Sequence, residues 1–157
     1  MLRNYFPVRL FFFAALFLAG SLLAADTDYS SLNAKALTVK LPTDVQWKGA
    51  NAAGIEQIVI TGDPTKPGLY VVLARWYAYH NSHPHFHPND RFITVLSGTW
   101  WVNTGRKYDP DGMKPVPAGS VVTHFANEVH YDGAKEGDAV IEIIGMGPAT
   151  ATPAEDK

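Results

Sequence analysis

The chain has 157 residues, with 13 Lys and Arg against 15 Asp and Glu and a formal net charge of -2. It has no run of Lys or Arg that could track a phosphate backbone, which makes nucleic acid a poor partner. It also has no cysteine, so it offers no disulfide, no catalytic thiolate and no thiolate ligand for a metal.

Residues 1–25 read as a secretion signal. Arg3 and Arg9 form a basic front, Leu10 to Leu23 an apolar run, and Ala24-Ala25 supply small residues for cleavage. The run is short against the ~20 apolar residues that span a bilayer, and Ser21 stands where a lipoprotein signal would carry cysteine. The sequence therefore predicts a periplasmic or secreted protein with no membrane attachment after cleavage. What remains, roughly 130 residues, suits one domain with a real core and is too short for two. That domain is expected over residues 26–147, after a loose polar spacer from Asp26 to Asn33. The last ten residues, "PATATPAEDK", have too little apolar content to pack, so 148–157 is expected to be a disordered tail.

Between these ends the text reads as strands. Runs rich in Val, Ile, Tyr, Phe and Trp occur at Gln57 to Ile60, Leu69 to Tyr79, Phe92 to Leu96, Thr99 to Asn103, Ser120 to Thr123 and Ala139 to Ile144. They are separated by "GDPTKPG", "NSHPHFHPND", "LSGT", "YDPDG" and "PAG", which are turn signals built from Gly, Pro, Asn and Asp. No sustained 3.6-residue apolar period appears, so the fold class is all-β, a sandwich or a barrel.

Four of the six histidines fall in "HNSHPHFH", His80 to His87; the others are His124 and His130. His83, His85 and His87 are spaced by two, and alternate residues of an extended chain point to the same side. Two such imidazoles, joined by a third from a distant strand, can hold a divalent metal and leave positions open for water or substrate. Nitrogen donors suit Zn, Cu, Fe or Ni better than Mg or Ca, and the sequence does not distinguish which divalent transition metal, Fe, Zn, Ni, Cu or Mn, is held. A solvent-facing polar loop is the alternative, although Pro84 and Pro88 stiffen this segment.

The segment "HFHPNDRFITVLSG" resembles the first signature of the cupin superfamily, His-x-His followed by Glu after three or four residues and by Gly six later. "GSVVTHFANEVH" resembles the second, in which Gly precedes a Pro-x-Gly turn and a histidine. The resemblance covers roughly His85 to His130 and implies a double-stranded β-helix, or jelly-roll barrel. Counted from Gly98 and Gly119, it implies His85, His87 and His130 as metal ligands. His83 and His80 then fall at the pocket mouth or in solvent, and His124 becomes a candidate for contact with a metal-ligating residue or for the place of the family's ligand Glu.

Two departures from the pattern matter. Arg91 stands where the family has its ligand Glu, and a guanidinium about 4 Å from a divalent ion is repelled by several kcal/mol even at an effective dielectric near 20. Either Arg91 swings away, or an acid or an anionic ligand lies between them; Asp90 could supply the carboxylate only if the strand slips by one residue. The Pro-x-Gly turn reads Phe125-Ala126-Asn127, where Asn127 can take the left-handed conformation that Gly would supply.

Glu142 is the charged residue in the apolar run "AVIEIIGM". If it lines the barrel, desolvation should raise its pKa and make it a general acid or base; an outward or Arg91-paired glutamate is the alternative. Of Trp100 and Trp101, one should reach the interior. Tyr77, Tyr79 and Tyr131 are read as packing residues, and Glu128 as a solvated turn residue. Surplus outward aromatics leave room for a homodimer. The chemistry expected is that of a metal-dependent enzyme, an oxidoreductase of dioxygenase type or a lyase or isomerase, acting on a small and in one reading anionic molecule. The rivals are a non-catalytic periplasmic binding module and a metal-free cupin in which Arg91 anchors a carboxylate.

Overall fold

The computed structural model describes residues 28–157; the leader at 1–25 lies outside the described residues. Residues 28–40 form turns of their own, such as that closed by the Asp28 carboxylate, which accepts the Ser30 N–H at 2.8 Å. Among the described residues, no helix is long and apolar enough to cross a membrane. From residue 41 onward the chain is built of strands: β1 (Ile55–Thr61), β2 (Gly68–Trp76), β3 (His80–Asn81), β4 (His85–Phe86), β5 (Arg91–Ser97), β6 (Thr99–Thr104), β7 (Lys114–Pro117), β8 (Val121–His124), β9 (His130–Ala134), β10 (Ala139–Gly147) and β11 (Thr152–Pro153).

They make two antiparallel sheets, ordered β1-β2-β10-β5-β8 and β11-β4-β9-β6-β7, with β3 added beside β9. This is the all-β jelly roll that the sequence predicts. Side-chain alternation sets its inner face. In β2, Tyr70, Val72, Ala74 and Trp76 are buried, and in β10 so are Ala139, Ile141 and Ile143. Register then stacks Ile143 between Val72 and Ile93, and Ile141 between Ala74 and Val95. The second sheet contributes Trp100, which is fully buried. The branched side chains among these, such as Val72, Ile141 and Ile143, each stabilise the fold by roughly 1.5–3 kcal/mol through the apolar surface they remove from water.

The same alternation corrects the expectation for Glu142. It lies between the two inward isoleucines and pairs with Leu73 and Thr94, so it stands half-buried on the outer face of the sheet and not in the barrel. The tail is also corrected. Thr152 and Pro153 pair with Phe86 and His85, the Ala154 N–H donates to the Pro84 carbonyl at 2.8 Å, and Ala154 is buried. Backbone hydrogen bonds at an open sheet edge need no apolar side chains, which is why composition misleads there. After the turn signal "YDPDG" the chain forms β7, which is not among the runs read as strands from the sequence.

Gly98 makes the corner between β5 and β6. Its φ is 73°, and a Cβ there would sit 2.1 Å from the Asp138 carbonyl oxygen. Both the backbone and the space require glycine. Gly98→Ala is expected to cost about 2–3 kcal/mol and lower the unfolding midpoint by roughly 10 °C. A calorimetric midpoint within a degree or two of wild type would contradict this account of the corner.

Candidate metal centre

The antiparallel pairing of β4 with β9 sets His85 directly opposite His130, and His87 follows His85 by two residues on the same side. One ligand atom from each of the three lies within 4.8 Å of the other two. Every ring is held by a backbone carbonyl. His85 Nδ1 donates to the His83 carbonyl at 2.8 Å, His87 Nδ1 to the Thr150 carbonyl at 2.7 Å, and His130 Nδ1 to the Glu128 carbonyl at 3.0 Å. A carbonyl only accepts, so each Nδ1 carries the proton and each Nε2 is left with a bare lone pair. This is the tautomer that metal-binding histidines take, fixed by the hydrogen bond on the far nitrogen.

The bare atoms converge. His85 Nε2 and His87 Nε2 are 3.2 Å apart, and the buried Nε2 of His130 has no protein partner. Two nitrogens each about 2.0–2.1 Å from one ion lie roughly 3.0–3.4 Å apart in tetrahedral or octahedral geometry. The spacing of the three histidines therefore fits a divalent metal, although the His87 lone pair also faces the Arg91 guanidinium.

Arg91 does not swing away. Its Nη1 sits 2.5 Å from His87 Nε2, and its Nε is buried with no partner. The β5 register is unslipped, with Arg91 opposite Gly145 on one side and His124 on the other. Asp90 is used elsewhere, its carboxylate accepting the Ala126 N–H at 2.7 Å, so it supplies no ligand. Asn127 does adopt φ 62°, and its N–H donates to the His87 carbonyl at 2.7 Å, which ties the second motif's turn to the first motif's ligand.

The remaining sequence candidates take varied places. His83 stacks on Tyr108 with ring centroids 4.3 Å apart and pairs with Glu155 at 2.8 Å; with His80 it lines the cavity wall. Trp100 is the inward member of its pair, while Trp101 lies half-exposed under Lys135. Tyr77 donates to Glu56, Tyr79 is exposed, and the buried Tyr131 hydroxyl accepts the Asp109 N–H. Glu128 is exposed. His124 is buried against His130, with ring centroids 3.7 Å apart.

Sequence reasoning missed Asp132. It is buried and lines the cavity beside His85, His87 and Arg91. Its signal was present, since it follows His130 by two residues and so shares that side of the strand. Burial pushes its carboxyl up, while His85 and Arg91 pull it back. The cavity measures about 740 Å³, and a second chamber of about 410 Å³ meets it at His87 and Arg91. Tyr70 reaches the smaller chamber because Gly145 beside it is bare: a Cβ at Gly145 would lie 2.7 Å from the Tyr70 hydroxyl.

The sequence matches no family model, and comparison with curated proteins gives no match. Solved structures do match. The polyketide cyclase RemF from Streptomyces resistomycificus superposes at TM-score 0.61 and 15% identity, over 77% of this chain and 87% of that one. KdgF from Halomonas sp. gives 0.52 and 17%, over 68% and 91%. A cupin-like protein from Thermotoga maritima gives 0.52 and 18%, over 68% and 85%. The chain has the cupin fold, with buried histidine and aspartate groups that could hold a metal.

Burial, reinforced by Arg91, pushes the His87 imidazole down to about 3, and burial with His85 pushes His130 down to about 4. An unfolded histidine titrates near 6.5. Between these values the unfolded chain binds protons that the folded chain refuses, so stability rises with pH there. The metal-free protein is expected to be fully stable above about pH 6.5 and to lose stability as pH falls toward 3. Urea midpoints measured from pH 7.5 to 4 should decline more steeply for wild type than for His87→Gln; parallel curves would refute the burial of a neutral His87.

Proposed function

We propose that the protein is an exported metal-dependent cupin enzyme in which His85, His87 and His130 hold one divalent transition metal and Arg91 holds an anionic group of a small organic substrate. The observation that carries this reading is the convergence of proton-free Nε2 atoms, with His85 and His87 only 3.2 Å apart. The metal supplies a Lewis acid or an oxygen-activating centre, compatible with dioxygenase, lyase or isomerase chemistry. The leader at 1–25 supports export, and the naming of one structural neighbour as a polyketide cyclase supports a small organic substrate.

Arg91 decides the substrate's charge. Three neutral imidazoles leave the ion's full positive charge in place, and the guanidinium adds another within reach of His87. At about 4 Å and an effective dielectric near 20, the repulsion is about 4 kcal/mol per pair of unit charges. A carboxylate or enolate placed between the ion and Arg91 turns that repulsion into two attractions. Trp76, Ile141 and Ile143 wall the larger chamber and Arg91 itself is buried, and charges meeting in such low-dielectric surroundings attract more strongly than in water.

Elemental analysis of protein recovered from an exporting host should find about one transition metal per chain, lost in His85→Ala/His87→Ala. Arg91→Gln should keep the metal and bind it about tenfold tighter or more, while a carboxylate inhibitor that binds wild type loses at least tenfold. Protein that stays metal-free after reconstitution would overturn this reading and favour the metal-free rival, an anion held by Arg91 alone.

A further inference from the structure

His124 and Asp132 are left unused by the three-histidine centre. His124 is 7% exposed and its Nδ1 has no partner; His130, 6% exposed, has its Nε2 equally unpartnered. Asp132 is 5% exposed, and one ligand atom from each of these three residues lies within 4.8 Å of the other two. Two imidazoles and a carboxylate are a complete donor set for a first-row metal. We propose that His124, His130 and Asp132 form an alternative metal seat deeper in the barrel, sharing His130 with the outer seat of His85 and His87. The inference rests on the reading of His130 as a ligand.

Sharing has a consequence for occupancy. His130 Nδ1 is committed to the Glu128 carbonyl, so the ring has one lone pair to give, at Nε2. One ion can take either seat, and two ions cannot be held at once. The seats differ in chemistry. The outer is all nitrogen, suited to Zn2+ or Cu2+, and the inner adds a hard carboxylate oxygen that suits Mn2+. The inner seat also gives the ion a negative ligand against the charge of Arg91, which the outer seat lacks.

Mn2+ and Zn2+ affinities, measured separately on wild type, His85→Ala and Asp132→Asn, test the assignment. Asp132→Asn is expected to weaken Mn2+ at least tenfold and change Zn2+ less than threefold, with His85→Ala doing the reverse; saturation with both metals should stop at one ion per chain. If Asp132→Asn does not fold, His124→Phe removes the same seat and should read the same way. Mn2+ binding untouched by Asp132→Asn or His124→Phe, while Zn2+ still needs His85, overturns the inner seat and leaves the three-histidine centre standing. Two ions per chain overturns the sharing, and a wild type that binds neither metal overturns both readings.

Discussion

The site depends on three backbone carbonyls, those of His83, Glu128 and Thr150, each of which takes the Nδ1 proton of one histidine. Rotation of the buried His87 or His130 ring would exchange a hydrogen bond for an unsatisfied buried donor, at about 1–3 kcal/mol. That cost keeps the lone pairs aimed inward before any ion arrives. The carbonyls come from three separate segments, and their positions follow from the β4–β9 and β4–β11 pairings. The geometry that could hold a metal is thus a consequence of sheet register.

Arg91 gives the same scaffold a different electrostatic character. It occupies the place of an acidic ligand in the family pattern, faces His87, and has Asp132 and Tyr70 as the groups that offset its burial. Three neutral imidazoles beside a buried guanidinium make a poor seat for a cation in isolation and a better one once an anion is bound. The row Tyr70, Gly145, Arg91 and His124 across β2, β10, β5 and β8 puts this arrangement where the two chambers meet. The missing side chain at Gly145 is what lets Tyr70 reach in.

The long strands were legible because β2 and β5 alternate inward and outward residues over several positions. The run "AVIEIIG" was legible as a strand but its facing was not, since apolar residues fill both faces and the place of Glu142 cannot be told from period alone. His85 and His87 show in their spacing, but His130 needed the motif to single it out from His124. Asp132 was hidden by an apparently ordinary "HYDG", and the role of Thr150 left no mark at all, because a backbone carbonyl has no residue type. Strands of two residues, such as β4 and β11, are too short to carry a period.

The placement of Thr150 bears on the order of events during synthesis. His87 receives its carbonyl from Thr150, 63 positions further along the chain, and β11, which closes the sheet beside His85, follows it. While these residues are still within the ribosome, which releases the chain from its N-terminal end, the His87 ring has no anchor and its proton is free to sit on either nitrogen. The imidazole triad is therefore set only once the chain has been extended through Thr150 and β11, so the site's geometry is completed late in the order that the topology imposes.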